Sequence, residues 1–569
     1  MATPNERVER LDPWAKDIVI KNYGEQIKRW GLTPVDDALL ARIPDPDHTA
    51  RRGIMFAHRD FETILERIEK KEPFVMMTGL MPSGKMHLGH KLIVDQMKWY
   101  QEHGAQLVIA ISDVEAWVAR GIPPSISTQT AIDEYVTNYL AAGLKWRNGE
   151  MVVYSQWKRD GLLALAAALS KGATLGQMNA MYGFAPTKSV DGMKDAEART
   201  HLASVIVDPA TGLDWSVTAG KTFFPFIQAA DILHPQLSVH GGPRPTVVPV
   251  GLDQDPHMRL ARDLSDAVRT LRIRPTPENG KITLYVANER QAKDLEDTLT
   301  NELGFEPNGT DGEGKPIKLV YSAAGTPAVV VEQASKADVA SFYELLSEKF
   351  PGLYVSSHRV AVFAAQTEEG RKLLPKTLQI LADLGYSHVQ TTQDGLFVYD
   401  DGLNQRKIDE SLIAVEKEAG LLTFFKPAVT YNRLAPGLGP GGKMSSSNPD
   451  SAIFLTDSPE DIERKLRNAP TGGRATAAEQ RRIGGEPDNC PVYNVGVFSH
   501  PDDSFSKETY RTCTSGELLC GGCKDNTIAA IKTQLAQHQA ARQRVVESGE
   551  LADFVNSQPM LKNGDPLMF

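Results

Sequence analysis

Three stretches follow one another between residues 73 and 104: PFVMMTGL, MPSGKMHLGH and KLIVDQMKWYQEHG. The first is a short continuous apolar run, the form of a strand buried on both faces. The last has helical period and is closed by Gly104. A buried strand feeding a helix through a glycine-bearing loop is half of a βαβ unit, and the pattern recurs. QLVIAIS and MVVYSQ read as further strands, and PTVVPVG near residue 248 is followed by the helix DPHMRLARDLSDAV. Strands of this kind alternating with helices predict an α/β fold with a doubly wound parallel sheet.

The remaining chain divides by pattern, as 569 residues exceed what one core supports. Residues 1–70 read as a charged, helical N-terminal extension whose last helix, DFETILERIEK, must end at Pro73. Residues 71–274 and 421–465 carry the two parts of the sheet domain. Between them, residues 275–420 form an α+β insertion of short strands (KITLYVAN, KLVYSAA, AVVVEQ, RVAVFAA, GLFVYDD) and helical stretches such as KADVASFYELLSEKF and EGRKLLPKTLQILADLG. No motif attaches a chemistry to the insertion. Residues 466–569 read as helical and polar, with glycine joints at PTGG and IGGEPDN.

Charge and hydropathy bound the function. The longest apolar stretch, GLLALAAALS, has about half the length needed to cross a bilayer. The polar start MATPNERVERLDPWAKD is unlike a signal peptide. These features lead us to expect a cytoplasmic protein. A net charge of −10 argues against a globally basic nucleic-acid binder and leaves room for a local basic face.

Two segments suggest phosphate chemistry. Pro82-Ser83-Gly84 leads to His87-Leu88-Gly89-His90 at a helix start, where unpaired N–H groups and the positive end of the dipole favour an anion. The two histidines share one face of the first turn, and Gly89 permits close approach of a nucleotide. The plain alternative is a pair of surface histidines. The second segment, GPGGKMSSSNPD, sets Lys443 and the hydroxyls of Ser445, Ser446 and Ser447 on a glycine-rich loop that could close on a polyphosphate. Its plain alternative is a serine-rich surface loop.

The third signal is cysteine. The chain has four, all within residues 490–523: Cys490, Cys513, Cys520 and Cys523, separated by 22, six and two residues. Four thiolates make a complete ligand set for a [4Fe–4S] cluster or a structural zinc. Gly516, Gly521 and Gly522 would let the chain wrap closely around such a group. Unrelated buried cysteines are the bland alternative.

The two phosphate segments, in this order and at this distance, resemble the class I aminoacyl-tRNA synthetases. FFPFIQAADILHPQL, VVPVGLDQDPHMRLARDL, LDPWAKD, RRGIMFAHRDF and TGGRATAAEQRRIGGEPDNCPVY narrow the resemblance to the tryptophanyl-tRNA synthetases of the archaeal and eukaryotic branch. It covers about residues 8–272 and 421–540 and leaves out the insertion. It implies a Rossmann-type catalytic domain and a C-terminal helical domain that binds the tRNA anticodon. The implied reaction joins tryptophan to ATP as an adenylate, releases pyrophosphate, and then charges tRNA(Trp). The implied ATP contacts are Pro82, Ser83, Gly84, His87, Gly89, His90, Gly251, Asp253, Gln254, Lys443 and Met444, with Mg²⁺ accompanying the ATP. Lys443, Ser445 and Ser447 would close on the pyrophosphate. The common form of that loop carries a second lysine where Ser446 stands here.

The resemblance also bears on the amino acid. Asp231 matches the position where bacterial relatives use an aspartate against the indole N–H, with Gln228 and Gln254 lining the pocket. The eukaryotic type uses a tyrosine and a glutamine, whose positions here hold Met77 and Ala110, so Asp231 is the expected reader. The alternative for Asp231 is a helix-start cap. A subset of these enzymes holds a [4Fe–4S] cluster on cysteines placed like these four, which favours the cluster over zinc. A homodimer is the family expectation. The rival readings are a tyrosyl-tRNA synthetase and a catalytically silent paralogue that binds RNA.

Overall fold

The computed structural model describes residues 23–82, 84–182, 218–276, 281–439, 442–446 and 448–561, with breaks in the fourth stretch at 287, 302–305, 308–315, 322–326, 333–345, 347–348, 351–353, 357–358, 365–366, 388 and 399–402. The LDPWAKD segment, Ser83, Ser447 and most of the helix expected over KADVASFYELLSEKF lie outside the described residues. The chain forms two units, residues 266–425 and the remainder.

The larger unit is built on a seven-stranded sheet. Its strands are β1 (Thr33–Pro34), β2 (Met55–Arg59), β3 (Phe74–Leu80), β4 (Ala105–Ile111), β5 (Met151–Ser155), β6 (Thr246–Gly251) and β7 (Ala428–Asn432), in the order β1-β2-β7-β6-β3-β4-β5. The five strands from β7 to β5 are parallel, as the apolar runs predicted. From β3 the chain proceeds to β4 and β5 on one side, and β6 and β7 lie on the other. The strand order therefore reverses between β3 and β6, the place where open sheets of this type bind ligands.

One expectation is corrected here. The N-terminal extension is not wholly helical, because GIMFAHRDF contributes β2, antiparallel to β7 with Thr430 opposite His58. Ile54, Met55, Phe56 and Ala57 are all buried. A run buried on both faces is satisfied by a strand inside a sheet, whereas a short helix would leave one side to water.

Among the helices, α1 (Leu88–Glu102) follows β3, and α2 (Ala219–Leu233) packs against β3 and β6. The C-terminal region is helical as expected, with α3 (Pro491–Ser499), α4 (Ser504–Thr514) and α5 (Cys520–Glu547). The 28-residue α5 spans about 42 Å at 1.5 Å per residue. It is tied to the sheet unit by Gln539, which donates to the carbonyls of Leu455 and Asp457, and by His538 against Asn138. Val492, Val495, Ile528, Ile531 and Leu535 share one hydrophobic core with residues of β3, β4 and β5.

Among its described residues the smaller unit has two sheets. One orders Tyr354–Ser356, Lys281–Tyr285, Pro327–Glu332, Pro316–Tyr321 and Glu306–Pro307. The other orders Val389–Thr391, Gly395–Val398, Arg359–Ala364 and Leu271–Thr276. Strand Leu271–Thr276 pairs along its length with Arg359–Ala364. The unit thus takes up residues the sequence pattern had left with the sheet domain, and it runs to 425 rather than 420. Its buried Arg269 is neutralised by Asp409 and Glu416, and the Glu416 carboxylate also accepts from Leu271 N–H and the Thr423 hydroxyl. Such a charge is tolerated inside only because its partners are fully engaged.

Candidate active site

The loop after β3 delivers His87 to the start of α1, where it serves as the N-cap. Its Nδ1 accepts from Gly89 N–H at 3.1 Å, and His87 N–H donates to His90 Nδ1 at 3.2 Å. The rings stack with centroids 3.8 Å apart. Burial, then the neighbouring His90 and Lys443, holds His87 well below the usual imidazole range, and burial pushes His90 down to about 4. Both rings are therefore neutral at neutral pH. With each Nδ1 acting as an acceptor, the single proton of each ring sits on Nε2. The pair can donate hydrogen bonds to phosphate oxygens, but it brings no charge.

The two segments the sequence singled out meet in space. Leu88 N–H donates to Ile453 O at 3.0 Å and Leu455 N–H to Met86 O at 2.9 Å, which stitches the start of α1 to the chain just after the serine-rich loop. Ser446 Oγ donates to Lys85 O at 3.1 Å. Lys443 forms an ion pair with Asp253 at 2.8 Å. Asp253 lies in the turn after β6, and Gly251 makes room for it: a Cβ there would lie 2.5 Å from Asp253 Oδ1. All these groups gather at the C-terminal edge of β3, β6 and β7.

Two of the expected ATP contacts also serve the fold. Met444 is only 4% exposed, packs in the hydrophobic core, and its N–H donates to Ala435 O, so it anchors the loop. An apolar thioether between two polar neighbours is pulled inward by burial. Gly89 is required by the protein itself, since a Cβ would lie 2.9 Å from Ala435 Cβ and 3.0 Å from the His87 ring. Pro82 is buried, Gly84 faces Ser446, and Gln254 follows Asp253 in the same turn.

Asp231 is 3% exposed and lies near the end of α2, so it does not cap a helix start. Tyr154 OH donates to its Oδ1 at 2.7 Å and Gln156 Nε2 to its Oδ2 at 2.5 Å. Burial raises its pKa to about 7 against the pull of those two donors. Asp113 stands behind them, accepting from the Ser155 hydroxyl and Gln156 N–H, and burial raises it to about 6. Tyr154, Gln156 and Asp113 were not singled out from the sequence. The period-2 spacing of Tyr154 and Gln156 at the end of MVVYSQ, which sets both on one face, was the available signal. Met77 and Ala110 are buried apolar positions on β3 and β4. On α2, Gln228 Oε1 is a buried acceptor without a hydrogen-bond partner among the described residues.

The four cysteines line a single cavity with Gly472, Gln480, Val492, Tyr493 and Leu518. Cys490 caps α3, Cys513 ends α4, and Cys520 and Cys523 share one face of the first turn of α5. All four are free thiols. Burial, then the other three cysteines, pushes Cys523 up to about 12. Gly516, at φ +78°, lets the chain wrap closely as expected, since a Cβ there would lie 2.4 Å from Gln480 O, and two glycines not singled out from the sequence make room for the sulfurs. A Cβ on Gly473 would lie 2.6 Å from Cys520 Sγ, and one on Gly485 2.7 Å from Cys513 Sγ. Gly521 meets nothing within 4 Å. Among the described residues no group of three or more histidine, cysteine, aspartate or glutamate side chains stands arranged to hold a metal ion. The four thiols thus line one cavity without closing on a common centre, and Gly473 and Gly485 give two of them room. Lys524, next to Cys523, donates to the carbonyls of Arg467 and Ala469 at the end of helix Pro459–Asn468.

The family model of the class I tRNA synthetases for tryptophan and tyrosine matches residues 69–284 and 402–536. The chain is 33% identical to a tryptophan–tRNA ligase of Archaeoglobus fulgidus over 94% of this chain and 97% of that one. It is 32% identical to tryptophan–tRNA ligase 1 of Halobacterium salinarum over 94% and 93%. Among solved structures it resembles the tryptophanyl-tRNA synthetase of Aeropyrum pernix K1, with a TM-score of 0.58 and 29% identity over 94% of this chain and 96% of that one.

Proposed function

The chain belongs to the class I tRNA synthetases of the tryptophan and tyrosine type, and from that premise we propose that it is a tryptophan–tRNA ligase. It activates tryptophan with ATP, releases pyrophosphate, and transfers the tryptophanyl group to tRNA(Trp). One observation carries this reading. The His87 segment and the Lys443 loop, far apart in sequence, are stitched together at the point where the strand order reverses.

In the first step a carboxylate oxygen of tryptophan attacks the α-phosphorus of ATP. The bond to the β-phosphate oxygen breaks, and its electron pair leaves with pyrophosphate. No side chain needs to become covalently attached, so the protein's work is positioning and charge stabilisation. The Nε2–H groups of His87 and His90 suit donation to phosphate oxygens. Lys443, held by Asp253 in this state, suits transfer to the leaving pyrophosphate, and the family likeness assigns the hydroxyls of Ser445 and Ser447 to the same group. Mg²⁺ enters with the ATP. Asp231, fixed by Tyr154 and Gln156, suits the indole N–H, and the unpartnered Gln228 Oε1 suits the substrate ammonium, with Gln254 lining the same pocket.

The four cysteines suit a [4Fe–4S] cluster, with structural zinc as the second choice. Cys490, Cys513, Cys520 and Cys523 would hold it, and when bound it supplies a cross-link between α3, α4 and α5 rather than chemistry on the adenylate. A helical region stiffened in this way suits anticodon binding. A homodimer in the cytoplasm is the accompanying expectation. Among the described residues no helix is long and apolar enough to cross a membrane.

ATP–pyrophosphate exchange with each amino acid, followed by charging of tRNA(Trp), tests the reading. Exchange that depends on tryptophan and not on tyrosine supports it. Exchange with tyrosine makes the protein a tyrosyl enzyme, and exchange with neither makes it a silent paralogue.

A further inference from the structure

We propose that Lys85 is a phosphate-contacting cation of the adenylate site and carries part of the charge of the departing pyrophosphate. The proposal rests on the reading of this site as the place where ATP is cleaved.

The argument begins with a count of charge. Breaking the bond between the α-phosphorus and the β-phosphate oxygen leaves an electron pair on pyrophosphate, and that charge needs fixed cations. The described residues here supply few. His87 and His90 are neutral. Lys443 is paired with Asp253. Lys91, one turn into α1, gives its ammonium to both oxygens of Asp95 at 2.7 Å. Arg433, just beyond β7, lies over the Tyr23 ring.

Lys85 differs from all of these. It lies two residues before His87, its side chain is exposed, and its ammonium makes no ion pair or hydrogen bond among the described residues. Its backbone is held firmly. The Lys85 carbonyl accepts from Ser446 Oγ across 361 residues of sequence, and the next carbonyl, of Met86, accepts from Leu455 N–H. On the other side, Gly84 faces Ser446: a Cβ there would lie 3.2 Å from Ser446 Cβ. The loop that carries Lys443 therefore closes on the residues that carry Lys85. A cation with a fixed base and a free end at the mouth of a phosphate site is placed to follow a leaving group that moves outward.

The test is tryptophan-dependent ATP–pyrophosphate exchange of the full chain and three variants, with tryptophan binding measured separately without ATP. K85A is expected to lower kcat/KM for ATP by about 10²-fold, the lower end for one preorganised donor, with unchanged tryptophan affinity. K85R should stay within about threefold of the wild type. K85A/S446K, which returns an ammonium from the facing residue, should regain at least about tenfold. K85A within about threefold of the wild type overturns the proposal. So does a loss that neither K85R nor S446K relieves, because that would mark a structural defect. A wild-type protein without tryptophan-dependent exchange overturns the ligase reading itself and the proposal with it. Active wild type with an indifferent K85A overturns the proposal alone.

Discussion

The Asp231 carboxyl gives the most quantitative test of the proposed tryptophan pocket. Burial raises it from 3.8 to about 7 in the protein without substrate, a shift of about three units, or about 4 kcal/mol at about 1.4 kcal/mol per unit. The sign follows from linkage. A raised folded-state pKa means that the folded protein prefers the protonated acid. That stability is fully present below the unfolded value near 4 and is lost as pH rises through about 7. Indole binding acts in the opposite direction. A third donor, added to Tyr154 OH and Gln156 Nε2, favours the carboxylate by about 1.5–3 kcal/mol, so tryptophan should lower the Asp231 pKa by about one to two units. Tryptophan should then bind about 10–100-fold tighter at pH 8 than at pH 5. Isothermal titration at several pH values measures this, together with proton release on binding near pH 6. D231N cannot ionise, so its affinity should stay nearly flat and close to the acid-limb value of the wild type. Its thermal stability relative to the wild type should improve as pH rises from 5 to 8. Asp113, raised to about 6, titrates in the same range and interacts with Asp231, so a D113N variant run in parallel separates the two. A wild-type affinity that changes by less than about threefold over this range, or a D231N profile with the same slope, refutes the assignment of Asp231 to the indole.

Three further outcomes follow from the same geometry. K443A should lose about 10²–10³ in adenylate formation with little change in tryptophan binding, and an effect under about tenfold in pyrophosphate exchange would rule out its role. Protein purified without oxygen should be brown, with about four irons per chain and a broad absorbance near 400 nm. C520S should abolish the colour and weaken tRNA charging while leaving exchange largely intact. Colourless protein with one zinc per chain reverses the metal assignment, and metal-free protein with full charging activity returns the cysteines to plain packing. A chain in which residues 266–425 are replaced by a short linker should keep tryptophan-dependent exchange, because both motif segments and the whole seven-stranded sheet lie in the other unit. Loss of exchange in a folded protein would assign the smaller unit a part in activation.

Parts of this site were legible because the chemistry and the local fold use the same residues. A short apolar run bounded by turn signals and rich in β-branched residues reads as a buried strand, so β3, β4, β5 and β6 could be read in PFVMMTGL, QLVIAIS, MVVYSQ and PTVVPVG. His87 and His90 announce a helix start because the imidazoles themselves cap it. What stayed hidden depends on contacts distant in sequence. Lys443 is an ordinary lysine until β6 turns Asp253 toward it. Met444 belongs to a polar motif by position, yet the sheet's core claims its side chain. Gly473 and Gly485 look like joints of a flexible segment, and only the approach of Cys520 and Cys513 shows that a methyl group would not fit there. Asp231 is the instructive middle case. Its identity could be picked out, but one sequence position cannot say whether a carboxylate caps a helix or reads a ligand. The structure narrows that choice by surrounding the carboxylate with Tyr154 and Gln156 at the end of a helix instead of its start. A buried carboxyl with two fixed donors is held in orientation while burial keeps it poised near neutral pH. A third donor is what would tip it to the charged form, which makes its pH dependence a direct report on the ligand it faces.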